Sequence, residues 1–317
     1  MRVLSWHVHG AWSTAFFQGG HDYLVPVVPG RGPDGLGRAR TYRWPETVTE
    51  LTPERLAEEP VDVVVLQRPR DLELADAWLG GRRVGVDVAA VYVEHDCPRG
   101  NVPHTRHLLA DRDDMPIVHV THFNDLMWDS GRAPRTVIEH GVADPGARWT
   151  GELARVGVVV NMPVRRGRLV GADLLPTFAA AGPLDLFGMG TDKVAGQLPD
   201  AAAHDLPQVE MHEALACRRV YLHPFRWTSL GLSLIEAMHL GMPVVALATT
   251  EAVEAVPPAA GACSTRVEVL VAAVRRYLAD RDAAAEAGRV ARQAALARYG
   301  LGRFTDDWNR LLKEVTR

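Results

Sequence analysis

Short, valine-rich apolar runs recur along the whole chain and are separated by segments with helical spacing. The apolar residues within each run are continuous rather than alternating, which is typical of parallel strands buried on both faces. Strands that alternate with helices predict βαβ units, and therefore doubly wound parallel sheets of the α/β class. The predicted strands are Arg2–Val8, Tyr23–Val28, Val61–Leu66, Arg83–Val86, Ala89–Val93, Ile117–Val120, Thr136–Ile138, Val156–Val160, Leu184–Phe187, Arg219–Leu222 and Pro243–Ala246.

The chain of 317 residues is too long for one ordinary domain, which predicts two. The stretch Gly141–Thr150 is rich in turn-forming residues, and a new valine run begins at Val156. We therefore predict a first domain at 1–145, a second at 146–300 and a final helix at 301–317. That helix carries an apolar stripe, which requires a partner surface. The stripe consists of Phe304, Trp308, Leu311, Leu312 and Val315.

The composition excludes several functional classes. A formal net charge of −4 gives no global basic field, so no nucleic-acid partner is expected. No run of 18 apolar residues occurs, so no transmembrane helix is predicted, while a peripheral membrane contact stays open. Three separated cysteines without a CxxC pair argue against a disulfide framework or a zinc ribbon. We expect a cytoplasmic protein without a metal; the sequence does not indicate an oligomeric state.

The segment His223–Ala246 carries most of the functional information. A strand ends near His223, a polar loop follows, and a helix is predicted from about Ser229 to Leu240. Thr228 or Ser229 is expected to cap the start of this helix, and Gly241 is expected to end it. The start of a helix carries free N–H groups and partial positive charge, so it suits a diphosphate.

Two further residues of this segment fit a nucleotide. Gly231 has no side chain, which lets a ligand approach the backbone closely. Glu236 is expected about two turns into the helix, within reach of ribose hydroxyls if a nucleotide runs alongside. The alternative is an ordinary β-loop-α-β unit without a ligand.

This segment resembles the donor-site signature of the retaining GT-B glycosyltransferases of family 4. The family pattern reads Pro-Ser-x-x-Glu-Gly-Phe-Gly-Leu-x-x-x-Glu-Ala-Met-Ala-x-Gly-x-Pro-Val-Val. The resemblance covers roughly residues 90–317 and implies two Rossmann-like domains, with a last helix that crosses back onto the first. It also implies a nucleotide-sugar donor and no other cofactor. The matching residues are Pro224, Gly231, Leu232, Glu236, Ala237, Met238, Gly241, Pro243, Val244 and Val245.

The resemblance implies which residues bind the donor and where this chain departs from the family. The family's first motif glutamate falls on Thr228, which can hydrogen-bond to the sugar but lacks charge and reach. The motif serine is replaced by Phe225. A family glycine near a strand end falls on Gly190. The implied donor-binding residues of these segments are Gly190, Thr228, Ser229, Leu230, Gly231, Leu232 and Glu236.

An arginine cluster follows the first strand of the second domain. Transfer from a nucleotide sugar must stabilise a departing diphosphate, and arginines can do this without a metal. The resemblance assigns Arg165 to the family's catalytic arginine, whereas the family's lysine falls on Val170. Arg166 or Arg168 must therefore compensate. The alternative is a solvated basic loop.

In the first domain, the resemblance points to residues that follow two strands. It implies that His95 hydrogen-bonds to the donor sugar or the acceptor, and Asp96 is expected to orient His95 or bind the acceptor. Gly10 lies where the family places a glycine-rich loop beneath the phosphates. We expect Trp12 to stack on an acceptor ring, unless it is a half-buried surface residue. The literal GxGxxG match at 30–35 contains Pro33 and is read as a turn-rich loop.

These observations predict a glycosyltransferase that moves a sugar from a nucleotide-sugar donor to the hydroxyl of a small-molecule, glycan or lipid-linked acceptor. The resemblance implies retention of configuration, with His95, Arg165 and Thr228 as the catalytic set. Two alternatives remain open: a sugar-nucleotide epimerase on the same fold, and a nucleotide-sugar-binding protein weakened in catalysis, which Thr228 suggests.

Overall fold

A computed structural model describes residues 1–317, which divide into two compact units. The first unit comprises Met1–Gly141 together with Leu301–Arg317, and the second comprises Val142–Gly300. Each unit is built on its own parallel sheet. No helix in the chain combines the length and apolar character needed to cross a membrane.

The first unit contains a seven-stranded, all-parallel sheet. Its strands are β1 (Arg2–Ser5), β2 (Asp22–Pro26), β3 (Val48–Leu51), β4 (Val63–Leu66), β5 (Ala89–Glu94), β6 (Ile117–His119) and β7 (Arg135–Val137). Its first helices are α1 (Gly10–Phe16), α2 (Pro53–Glu58), α3 (Pro69–Trp78) and α4 (His122–Met127). The strand order is β3-β2-β1-β4-β5-β6-β7. All four residues of β4 are buried, as expected for a central strand covered on both faces.

The second unit contains a six-stranded parallel sheet in the order β10-β9-β8-β11-β12-β13. Its strands are β8 (Leu153–Val159), β9 (Leu184–Phe187), β10 (Ala201–His204), β11 (Arg218–His223), β12 (Val244–Leu247) and β13 (Gly261–Ser264). Its helices are α5 (Pro163–Arg166), α6 (Leu175–Ala179), α7 (Asp192–Ala195), α8 (Gln208–Ala216), α9 (Leu232–Leu240), α10 (Ala252–Ala255), α11 (Val267–Ala279) and α12 (Arg281–Arg298). The two doubly wound sheets confirm the predicted α/β fold class.

The helix α9 is the most deeply buried helix of the second unit. From Leu234 to Leu240 every residue is buried. The helix ends at Gly241, whose φ of 87° lies in the left-handed region that glycine adopts without strain. A Cβ atom at Gly288 of α12 would lie 2.0 Å from the carbonyl oxygen of Gly241. Glycine at 288 therefore lets α12 approach the end of α9 closely.

The last helix, α13 (Leu301–Val315), belongs to the first unit. Phe304, Trp308 and Leu312 of its stripe are buried. The Trp308 ring lies 5.6 Å from the Trp12 ring and 5.1 Å from the Phe16 ring. Burying each large apolar side chain contributes roughly 1.5–3 kcal/mol, so the stripe anchors α13. This confirms that the chain returns to its first unit at the C-terminus.

The strand predictions were wrong at two kinds of position. Three strands went unpredicted, β3, β10 and β13, and each is an edge strand of its sheet. The run Arg83–Val86 was predicted as a strand, but it forms a turn in which Val84 makes only an isolated bridge to Val88. Val84 therefore pairs with a residue of the same turn and not with a neighbouring strand of the sheet.

Strand order defines where each sheet can bind a ligand. In the first unit the order reverses between β1 and β4, and in the second it reverses between β8 and β11. Ligands of doubly wound sheets bind outside the carboxyl ends of the strands at such a switch point. The segments that follow β8 and β11 are therefore the expected ligand-binding region of the second unit.

Candidate functional site

At the switch point, the loop after β11 begins with buried aromatic rings that pack against each other. His223 is the last residue of β11, and its ring lies 4.2 Å from the ring of Phe225. Burial lowers the pKa of His223 to about 3, so its imidazole is neutral near pH ~7. The hydroxyl of Thr249 donates to the carbonyl oxygen of Phe225 at 2.7 Å. These contacts fix the backbone at the entrance to the loop.

The helix α9 begins three residues later than predicted. Its N-cap is Gly231, and no side chain caps it, so the predicted capping role of Thr228 or Ser229 is wrong. The N–H groups of the first helical turn consequently have no side-chain acceptor, which is the arrangement that suits an anion. Glu236 is the fifth residue of α9, so it lies little more than one turn from the helix start.

Gly231 is also required by packing within the second unit. A Cβ atom at this position would lie 2.4 Å from Cε1 of His223. The absent side chain therefore makes room for the buried imidazole, while the predicted donor-binding role of Gly231 stays a prediction. The hydroxyl of Tyr221 donates to Ser233 Oγ at 2.9 Å and lies 3.3 Å from His223 Nδ1, which links the end of β11 to the first turn of α9.

A short basic turn lies beside this loop. It starts at Met162, whose φ of 52° is left-handed, a conformation that is uncommon outside glycine. Arg165 in α5 is exposed and makes no hydrogen bond or ion pair within the protein. The guanidinium of Arg166 lies 5.8 Å from the centre of the Phe225 ring. Phe225, which stands where the family has a serine, therefore makes a cation–π contact with Arg166.

The third arginine of the turn is already paired. Arg168 contacts the Asp173 carboxylate at 2.7 Å, and Arg226 contacts the same carboxylate at 2.5 Å. Arg226 lowers the pKa of Asp173. The backbone N–H of Arg226 also donates to the carbonyl oxygen of Leu169 at 2.9 Å. These bonds bring the basic turn against the loop that leads to α9, and they leave Arg165 as the cation without a partner.

Glu236 is buried in a polar environment. Gln208 of α8 donates to one carboxylate oxygen at 2.7 Å, and His212 Nε2 lies 3.5 Å from the other. Burial raises the pKa of Glu236, but His212 and Gln208 lower it by more, so the net shift is downward. The carboxylate is therefore held in its charged form, which is a strong acceptor for hydroxyl groups. No sequence motif indicated Gln208 or His212, because their contact with Glu236 depends on the packing of α8 against α9.

The other predicted donor residues lie at different depths in the same unit. Ser229 and Leu230 are buried, Thr228 and Leu232 are half-buried, and Gly190 is exposed. Gly190 has a φ of 69° and lies beside the start of the basic turn, since a Cβ there would be 3.3 Å from Met162 Sδ. The second unit thus gathers its predicted donor residues on the segments that follow β8, β9 and β11.

The first unit places His95 directly after β5. The His95 ring lies 4.0 Å from the ring of His9 and 5.1 Å from the ring of Trp12. His95 Nε2 is buried and has no hydrogen-bond partner. The predicted orienting role of Asp96 is wrong, because its carboxylate is exposed and faces Arg99 at 3.5 Å.

Trp12 is a core residue, so its predicted stacking on an acceptor ring is wrong. Its side chain is 1% exposed, and its ring stacks on Phe16 at 4.8 Å. Gly10 is the first residue of α1, and a Cβ there would come within 2.5 Å of the Tyr42 ring. Both residues are therefore held by packing within the first unit.

The comparisons with known proteins fit this architecture. Residues 203–294 match the family model of glycosyl transferases group 1, and this range contains α8, the loop after β11 and α9. Over this range the chain is similar to the group 1 glycosyltransferases, as the sequence resemblance predicted; the match does not specify family 4 or retention. No curated protein matches the chain in sequence.

Solved structures show the same two-domain GT-B fold at low sequence identity. Sucrose-phosphate synthase from Thermosynechococcus elongatus aligns with a TM-score of 0.72 and 14% identity over 99% of each chain. HepE from Anabaena, in complex with UDP-glucose, aligns at 0.70 and 16% identity over 99% of this chain and 100% of its own. TarM from S. aureus, bound to UDP and α-GlcNAc-glycerol, aligns at 0.63 and 16% identity over 79% of this chain. The chain spans 55% of the length of TarM.

Proposed function

We propose that this chain transfers a sugar from a nucleotide-sugar donor to an acceptor hydroxyl with retention of configuration and without a metal or other cofactor. The observation that carries the proposal is an unpaired, exposed Arg165 on a turn that packs beside the loop to the uncapped start of α9. A cation and free N–H groups in one region are what a departing diphosphate requires. The complexes of HepE with UDP-glucose and of TarM with UDP support a nucleotide-sugar donor.

Retention follows from the family resemblance and fits the chemistry of these residues. Members of the family are thought to react on one face of the sugar, with the leaving phosphate helping to deprotonate the acceptor. That route needs cations and positioning rather than a strong protein base. The pKa of His95 is lowered well below its usual value by burial, so this side chain is suited to hydrogen bonding, while Arg165 supplies positive charge.

The experiment that tests the proposal begins with thermal unfolding in the presence of UDP-, GDP-, ADP- and TDP-sugars. A cognate nucleotide at about 100 times its Kd stabilises the protein by about 2.7 kcal/mol, so it should stand out from the others. Transfer to an acceptor hydroxyl is then followed by NMR, which reports the anomeric configuration of the product. We expect the product to keep the configuration of the donor, and an inverted product would reject the retaining mechanism.

Thr228 favours a second candidate, a nucleotide-sugar-binding protein with weakened catalysis. Thr228 occupies the position of the family's sugar-contacting glutamate and lacks its charge. Such a protein would be stabilised by a nucleotide sugar yet show neither transfer nor slow donor hydrolysis. Conversion of the donor sugar to its epimer in the absence of acceptor would instead identify an epimerase. Incubation with the nucleotide sugar alone therefore distinguishes the three functions: a transferase hydrolyses the donor slowly, an epimerase converts its sugar, and a binding protein does neither.

Substituting Glu236 by glutamine tests the proposed contact with the ribose. We expect the Kd of the cognate nucleoside diphosphate to rise about tenfold, since a hydrogen bond to a charged group is worth about 1.5–3 kcal/mol. The control is the 2′,3′-dideoxy nucleotide, which lacks the hydroxyls. Titration calorimetry should show that Glu236→Gln and the wild type bind this analogue equally. An equal loss of affinity for both nucleotides would place the role of Glu236 in the packing of α8 and α9 alone.

A further inference from the structure

The basic turn that carries Arg165 is hydrogen-bonded to the loop after β11 through Arg226. The guanidinium of Arg226 donates to the carbonyl oxygen of Arg168 at 2.9 Å, and its backbone N–H donates to the carbonyl oxygen of Leu169 at 2.9 Å. The backbone N–H of Trp227 donates to the same Leu169 carbonyl at 3.3 Å. Two consecutive carbonyl groups of the basic turn are therefore held by the loop that leads to α9.

The two segments also approach each other closely at Gly171, the residue that ends the basic turn. Gly171 has a φ of 70°, in the left-handed region that favours glycine. A Cβ atom there would lie 1.9 Å from the carbonyl oxygen of Pro224. Both residues are buried, so the end of the turn is packed directly against the start of the loop.

Asp173 fixes the orientation of Arg226. Its carboxylate accepts two hydrogen bonds from Arg226, at 2.5 Å and 3.0 Å, and one from Arg168 at 2.7 Å. Two bonds to one guanidinium fix the plane of that group as well as its position. Asp173 lies in a short 3₁₀ turn, Ala172–Leu174, directly after Gly171. The carboxylate therefore joins the basic turn to the loop after β11 from one side.

The same carboxylate determines which arginine is free. Arg168 and Arg226 share Asp173 as their counter-ion, whereas Arg165 is exposed and pairs with no acid of the protein. A charge that is already in place stabilises a transition state more effectively than one that must first rearrange. A long, exposed arginine side chain meets this requirement only if the backbone beneath it is fixed, and the contacts of Asp173 and Gly171 fix it.

We propose that Asp173 is a positioning residue of the transfer reaction: by fixing Arg226, it holds in place the turn whose Arg165 stabilises the departing diphosphate. This role rests on the proposed function and adds to it a residue that acts through Arg226 and not on the substrate itself. All the contacts that carry it lie within the second unit. A misplacement of about 1 Å can lower a rate about 100-fold, so the loss of this support should be visible in kcat.

A double-mutant cycle on Asp173→Asn and Arg165→Ala tests this role. With Arg165 present, we expect Asp173→Asn to lower kcat about tenfold, less than the loss of Arg165 itself. In the Arg165→Ala background the same substitution should change kcat by less than about twofold, because the side chain that Asp173 positions is gone. Turnover of the nucleotide sugar selected by the thermal screen measures kcat, and it needs no identified acceptor because a transferase also hydrolyses its donor slowly.

The matched controls separate lost positioning from a damaged fold. Asp173→Glu keeps the carboxylate and should retain more of the wild-type kcat than Asp173→Asn. Asp282→Asn removes an exposed carboxylate in the first turn of α12 and should leave kcat unchanged. Because the ion pairs of Asp173 are partly exposed, Asp173→Asn should lower Tm by less than about 4 °C.

The outcomes distinguish this role from the proposed function. If Asp173→Asn turns over like the wild type, or lowers kcat by the same factor in both backgrounds, Asp173 does not act through Arg165 and the positioning role is overturned. If the wild type neither transfers nor hydrolyses any of the nucleotide sugars, the proposed function fails, and the positioning role falls with it.

Discussion

Replacing Arg165 by alanine should lower kcat about 100-fold, which is the loss typical of removing one group that stabilises charge in a transition state. Arg165 is exposed and has no partner within the protein, so the free energy of unfolding should change by less than about 0.5 kcal/mol. Steady-state transfer kinetics measure the first quantity, and denaturant unfolding measures the second. We expect a large change in kcat and almost none in the free energy of unfolding, because the side chain is available to a ligand and contributes little to the fold.

The control for this prediction is another exposed arginine of the second unit. Arg266 has a side chain that is 70% exposed and pairs with Glu268 at the start of α11. Arg266→Ala should leave kcat unchanged. Arg168→Ala adds a useful comparison, because Arg168 already faces Asp173, and we expect a smaller loss than for Arg165→Ala. Equal kinetics for Arg165→Ala and the wild type would remove Arg165 from the mechanism.

The region after β11 could be predicted from the sequence because its signals are local. Gly241 ends α9 in the left-handed conformation, and Pro243 immediately precedes β12. Both positions depend on the backbone preferences of single residues. The exact start of α9 was harder to predict, because serine and threonine are better caps in general than glycine. Here the close packing of Gly231 against His223 outweighs that preference.

The edge strands β10 and β13 were missed for a physical reason. A central strand such as β4 is buried at every position, and this produces an unmistakable apolar run. The edge strands β10 and β13 contain no fully buried residue. Because neither face of such a strand needs continuous apolar side chains, its sequence does not differ clearly from a loop.

The environment of the site residues could not be predicted, because it depends on contacts distant in sequence. Trp12 is covered by Phe16 and by Trp308, a residue almost 300 positions away along the chain. Glu236 receives its hydrogen bond from Gln208. Sequence spacing indicates which residue types are present, but only the packing of helices decides which atoms remain available to a ligand.

The second unit contains a buried ion cluster whose disruption should have the largest effect on stability. Asp185 of β9 has a side chain that is 1% exposed. Arg155 of β8 contacts it at 2.8 Å, and Arg218 of β11 contacts it at 2.7 Å. Burial raises the pKa of Asp185, but the two guanidinium groups lower it by more. The cluster joins three neighbouring strands. Asp185 is the buried carboxylate that both arginines contact, and they hold it in its charged form.

Asp185→Asn should lower the free energy of unfolding by about 3 kcal/mol, because it leaves two partly buried guanidinium groups facing an amide. Asp200→Asn is the matched control: Asp200 also pairs with Arg155, but its side chain is 74% exposed, so the expected loss is below about 1 kcal/mol. Since the folded pKa of Asp185 is depressed, its contribution is complete above the unfolded pKa and is lost as the pH falls through the folded one. Denaturant unfolding should therefore show the full difference in free energy of unfolding between wild type and Asp185→Asn near pH ~7. This difference should become smaller below about pH 4. A gap independent of pH would mean that shape, rather than the charge of Asp185, stabilises these strands.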